Sequence, residues 1–132
     1  MYKLIVLLFV LHITYPKSAI SIPESVYTII PAQSDRSNIC CDAQIMIESI
    51  EDSRCPLNVQ CIWAGQAKVQ IAVSKAEMSS TAELVIGANP QNNAIVTVGT
   101  NQYSITLEKV IPYHGDGQTG EQKEAVLQVE CL

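Results

Sequence analysis

The pattern of residues predicts an all-β chain, an antiparallel β-sandwich of immunoglobulin-like type with about seven strands; a small β-barrel is the alternative architecture. Three observations lead there. Short apolar-alternating runs recur between turn signals, no stretch carries a convincing amphipathic helix, and aromatic residues make up only 5% of the 132 residues, so the core must come from Ile, Val and Leu on strand faces. The only Phe, Phe9, lies at the N-terminus, which leaves Tyr27, Trp63, Tyr103 and Tyr113 beyond the first 21 residues.

The strands are justified one by one. VYTII (Val26–Ile30) reads as an edge strand between Pro23 and Pro31. From Ile39 to Ile50 apolar residues alternate, with Ala43, Ile45 and Ile47 on one face; the change of parity between Ile47 and Ile50 predicts a bulge. In AKVQIAVS (Ala67–Ser74), Val69, Ile71 and Val73 oppose Lys68, Gln70 and Ala72, as in a sheet with one solvated face. KAEMSS (Lys75–Ser80) reads as a short helical turn. Ala82–Gly87 and Asn93–Gly99 are β-rich and flank a turn at Asn89 and Pro90. Tyr103, Ile105 and Leu107 define the sixth strand; EAVLQVEC (Glu124–Cys131) is the last. Between them, Gly115, Gly117 and Gly120 mark Pro112–Gln122 as a loop.

Residues 1–21 have the form of an export signal: Lys3, an apolar run from Leu4 to Ile13, the breaker Pro16, and small residues Ala19 and Ser21 before the expected cleavage point. Removing these 21 of 132 residues leaves 111, residues 22–132, enough for a single domain. Since the segment carries Lys3 and Lys17 and no acid, the net charge moves from −5 to −7. A secreted or periplasmic protein is expected, without a membrane span. Such an acidic chain, with Arg36 and Arg54 its only arginines, lacks the basic stripe that nucleic-acid binding requires.

Five cysteines (Cys40, Cys41, Cys55, Cys61 and Cys131) follow this segment, and exported thiols usually pair. Cys55 and Cys61 are close in sequence, and Pro56 fixes φ after the first, so a local disulfide is expected. Cys41 shares a face with Ala43 and Ile45, as Cys131 does with Leu127 and Val129. Parity therefore favours Cys41 with Cys131, a cross-link worth about 4 kcal/mol in the chain-entropy account; Cys40 is the other candidate partner. The cysteine left over faces solvent, free or able to join two copies in a dimer.

The segment from Glu51 to Gly65, EDSRCPLNVQCIWAG, carries most of the functional information. Asp52 and Arg54 stand two apart in an extended segment, on one face, where a charge-assisted hydrogen bond would brace the loop; Arg54 as an anion hook is the competing role. Trp63, two residues after Cys61, suits a ring packed over the disulfide, with a ligand platform as the alternative. Gly65 lets the chain turn into the next strand.

Catalytic and metal chemistry find little support. A Ser-His-Asp or Cys-His arrangement would have to use His114, the single histidine beyond the signal-like segment, and the glycines near it oppose tight positioning. The cysteines lack paired C-x-x-C spacing for zinc, and D-G-Q-T-G-E (Asp116–Glu121) lacks the acidic ladder of a calcium loop. No metal and no cofactor are expected. CPLNVQC has too many intervening residues for a thiol-redox motif.

The run DSRCPLNVQCIWAGQAKVQI (Asp52–Ile71) resembles the signature of a functionally uncharacterised family of small exported bacterial proteins. The matching positions are Asp52, Arg54, Cys55, Pro56, Cys61, Trp63, Ala64 and Gly65, and Tyr103–Pro112 is similar to a later tyrosine-bearing strand that ends in proline. Many members carry a lipid-attachment cysteine after the signal; this chain departs from that. The resemblance implies a sandwich-like fold and an envelope setting, with no catalytic role.

The functional expectation is a non-catalytic binding or structural module of the bacterial envelope. Its binding residues would be Asp52, Arg54, Trp63 and His114, and its partner an envelope or extracellular protein or ligand. The alternatives are a small hydrolase using His114 or Asp52, and a protease-inhibitor-like loop presenting Arg54.

Overall fold

The computed structural model describes residues 25–31, 37–39, 42–113 and 122–132. They form strands β1 (Ser25–Pro31), β2 (Ser37–Asn38), β3 (Gln44–Asp52), β4 (Gln66–Lys75), β5 (Met78–Gly87), β6 (Asn93–Val98), β7 (Asn101–Ile111) and β8 (Glu124–Cys131). All pairings between them are antiparallel. The described residues are all-β, and the strand among them beyond the seven expected is the two-residue β2.

Two four-stranded sheets result, ordered β1-β8-β7-β6 and β2-β3-β4-β5, and neither closes on itself. Within each sheet the strands are neighbours in sequence, apart from β1 beside β8. That order differs from immunoglobulin domains, where strands from the two halves of the chain alternate between sheets. Here β2 to β5 and β6 to β8 are simple meanders, because each strand finds its partner through the connection that follows it.

Alternation decides which side chains enter the core. Ala43, Ile45 and Ile47 at and before β3, Ala67, Val69, Ile71 and Val73 on β4, and Leu84 on β5 are buried. They join one cluster with Val96, Val98, Tyr103, Ile105, Leu107, Ala125, Leu127 and Val129 from the other sheet. Tyr103 is the one aromatic residue in that cluster, so the core is aliphatic as composition requires.

Two bulges occur at equivalent places. The β3–β4 register shifts between Ile47 and Ser49, where the change in parity predicts it. A second shift, between Leu107 and Lys109, interrupts β7 against β8. An extra residue there turns Val110, three positions after Leu107, back into the core. The first lies just before the end of β3, which leads into the loop described below, and the second just before the end of β7, whose Val110 carbonyl meets Arg54 of that loop.

Lys75–Ser80 is not a helical turn. Lys75 pairs with Met78, so Ala76 and Glu77 form a two-residue hairpin turn, with Ala76 at φ 53°. Lys75, Ala76, Glu77 and Met78 are good helix formers, but the long β4–β5 ladder overrides local preference. The left-handed conformation strains Ala76 by roughly 1 kcal/mol. Ala76→Gly is therefore expected to raise the urea midpoint of unfolding, with the m-value unchanged, by an amount that corresponds to about 0.5–1 kcal/mol of added stability.

Candidate functional site

The candidate site is the loop between β3 and β4, and its base is built from hydrogen bonds that prolong the two strands. Ser53 N–H donates to the Gln66 carbonyl at 2.8 Å, and Cys55 N–H to the Ala64 carbonyl at 3.0 Å. Gly65 adopts φ 68°, and a side chain there would collide with the Ser53 carbonyl. Glycine is thus required for the two arms to approach. Above the base, Cys55 and Cys61 form the expected disulfide, with their Cα atoms 5.9 Å apart.

Beneath the disulfide lies an ion-pair network. Arg54 grips the Asp52 carboxylate with two prongs: Nε donates to Oδ1 at 2.8 Å and Nη2 to Oδ2 at 2.7 Å. Nη2 also donates to the Val110 carbonyl at 3.0 Å, and the guanidinium lies 4.2 Å from the centroid of the Tyr113 ring. Lys123 Nζ donates to Asp52 Oδ2 at 3.0 Å and to the Pro112 carbonyl. The Arg54 and Asp52 side chains are only 8% and 3% exposed. Asp52 ends β3, Val110 belongs to β7 and Lys123 precedes β8, so one carboxylate ties the loop to both sheets.

Electrostatics follow from this geometry. Burial alone would raise the Asp52 pKa, but hydrogen bonds from Arg54 and Lys123 outweigh it and hold the carboxyl well below the usual carboxylate range. Asp52 is accordingly an ionised brace, engaged by two cations. Arg54, buried and held by Asp52, Val110 and Tyr113, performs the bracing expected of it. It does not project from the loop as an anion hook or as a protease-inhibitor residue would.

The apolar side chains of the loop lie outside. Ile62 is 95% exposed, Trp63 75%, Val59 57% and Leu57 47%. Trp63 therefore does not pack over the disulfide within the core. Unlike the immunoglobulin arrangement, the disulfide closes a protruding loop instead of joining two sheets, so no interior is at hand for the ring to fill. Sequence reasoning missed Leu57, Val59 and Ile62 as surface groups. The available cue was the absence of any charged residue between Cys55 and Gly65.

Cys131 is also disulfide-bonded and packs against the core. The expectations at Cys40, Cys41 and His114 lie outside the described residues, so the joining of Cys41 to Cys131, a dimer through Cys40 and any role of His114 fall there too. At the opposite end of the strands, a shallow polar depression is lined by Asp42, Gln44, Ser74, Glu77 and Ser79, among others. Among the described residues, no cluster of three or more His, Cys, Asp or Glu could hold a metal ion.

Two outcomes are expected. Asp52→Asn removes the shared anion and leaves two cations facing each other, which should cost roughly 3 kcal/mol at neutral pH in a denaturant titration. Because folding lowers the Asp52 pKa, its contribution is complete above the unfolded value of about 3.9 and is lost as pH falls below it. The native protein should consequently lose stability more steeply than Asp52→Asn on acidification through that range. Comparison with protein-family models, with curated proteins and with solved structures finds no match to this chain.

Proposed function

We propose that this chain is an exported, non-catalytic two-sheet β-sandwich serving as a binding module of the bacterial envelope or its surroundings, with Glu51–Ala64 as its recognition loop. The observation that carries this reading is the pairing of a rigid base with an apolar tip. The disulfide Cys55–Cys61 and the buried Asp52–Arg54 pair hold the backbone, while Ile62 and Trp63 stand in water.

Exposing large apolar groups is unfavourable unless a partner covers them, and a clamped loop loses less conformational entropy when it is covered. Tryptophan at the centre of such a patch supplies a large contact area with few rotatable bonds. The export signal predicted at residues 1–21 supports an extracytoplasmic setting, as does the disulfide.

A structural role, by contrast, would make the loop tip dispensable. Replacing Ile62 by a photo-crosslinking residue in the producing cell tests the difference. The expected result is a defined adduct that disappears when Trp63→Ser is added, with the thermal midpoint of unfolding unchanged. Absence of any adduct, together with normal growth and stability of Ile62→Ser/Trp63→Ser, would refute the binding role.

A further inference from the structure

We infer that the partner of the Cys55–Gly65 loop is the interfacial region of a lipid bilayer, which the tip enters without crossing; the inference rests on the reading of this loop as a binding surface. Charge is the first argument. No charged residue stands between Cys55 and Gly65, in a chain whose net charge is −5. The nearest ionic groups, Asp52 and Arg54, are buried in mutual contact at the base. Nothing charged has to be dehydrated when the tip leaves water.

Area and shape are the second. Leu57, Val59, Ile62 and Trp63 at their observed exposures offer on the order of 500 Å² of surface, with Trp63 at the upper end of the roughly 150–250 Å² of an aromatic residue and the three aliphatic residues smaller. That is below the roughly 800 Å² per partner of a stable protein interface. The tip protrudes, and no charged group in it would set the orientation of a protein partner. A fluid bilayer demands neither matched shape nor paired charge.

The third argument is depth. Trp favours the boundary between headgroups and acyl chains, where its ring is covered and its N–H stays hydrated. Asn58 and Gln60, exposed among the apolar residues, and backbone groups of a non-helical loop both oppose deeper entry. Penetration of about 5–10 Å is the level at which such amphipathic elements rest. Among the described residues no helix is long and apolar enough to cross a membrane. The acidic chain would be repelled by anionic lipid, so neutral headgroups are the preferred surface.

Trp63 is the sole tryptophan, so its fluorescence reports on this loop and on no other segment. The experiment uses protein recovered from the exported fraction, its N-terminus established by mass spectrometry. It is mixed with vesicles of phosphatidylcholine alone, or with a third of the lipid replaced by phosphatidylglycerol. The expected result is a blue-shifted emission, quenched by lipid brominated near the headgroup, that persists at high salt and is no stronger with phosphatidylglycerol. Ile62→Ser should weaken binding roughly tenfold while the thermal midpoint stays constant. Unshifted Trp63 emission with both vesicles would overturn the inference, as would a shift that needs anionic lipid and vanishes in salt. If vesicles leave Trp63 unmoved while the crosslinking residue at position 62 still captures an envelope protein, the lipid inference alone fails. If neither responds, the binding role fails with it.

Discussion

The carboxylate of Asp52 is the point on which the architecture around the loop depends. It lies at the end of β3, accepts three hydrogen bonds from Arg54, two from the guanidinium and one from the backbone N–H, and one from Lys123, and thereby links an irregular loop to the sheet containing β7 and β8. Burying such a charge costs several kcal/mol of desolvation, which the bidentate Arg54 contact and the Lys123 contact offset. What the arrangement supplies is geometric definition: the carbonyls of Val110 and Pro112 must be where Arg54 and Lys123 can reach them. A loop swung to another position would forfeit the long-range contacts of Arg54 with Val110 and of Asp52 with Lys123.

The two bulges belong to the same design. Each inserts one residue, in β3 before Ser49 and in β7 before Lys109, and each changes the face on which the following residues lie. After the second, Val110 enters the core and its carbonyl meets Arg54. The loop is then closed in layers, with a buried ionic base, a disulfide above it, and an uncharged tip. Stability resides in the first two layers, and the tip is left free of structural duty. Its apolar side chains are therefore hard to explain by folding, since the core is complete without them.

How much of this could be read from the chain depends on the range of each interaction. Alternation is local, and it located all seven longer strands, the inward positions of β3, β4, β7 and β8, and the bulge between Ile47 and Ile50. The same change of parity separates Leu107 from Val110 and marks the second bulge by the same cue. The Cys55–Cys61 bridge and the Asp52–Arg54 brace were legible because each joins residues within one short segment. Lys123, which completes the brace from the far end of the chain, has no signal in its own neighbourhood. Strand order was equally hidden, because an inward-facing strand has the same alternation whether its sheet is a meander or an immunoglobulin-like arrangement.

The sequence by itself determined the fold class, the aliphatic composition of the core and the locked loop, since these follow from side-chain periodicity, a shortage of aromatic rings and the closeness of two cysteines. Only the tertiary structure decided that Arg54 points inward and Trp63 outward. Both outcomes depend on what the neighbouring sheet offers: the carbonyl of Val110 and the Tyr113 ring receive the guanidinium, whereas nothing in the interior lies within reach of the indole at the tip of a protruding, disulfide-closed loop.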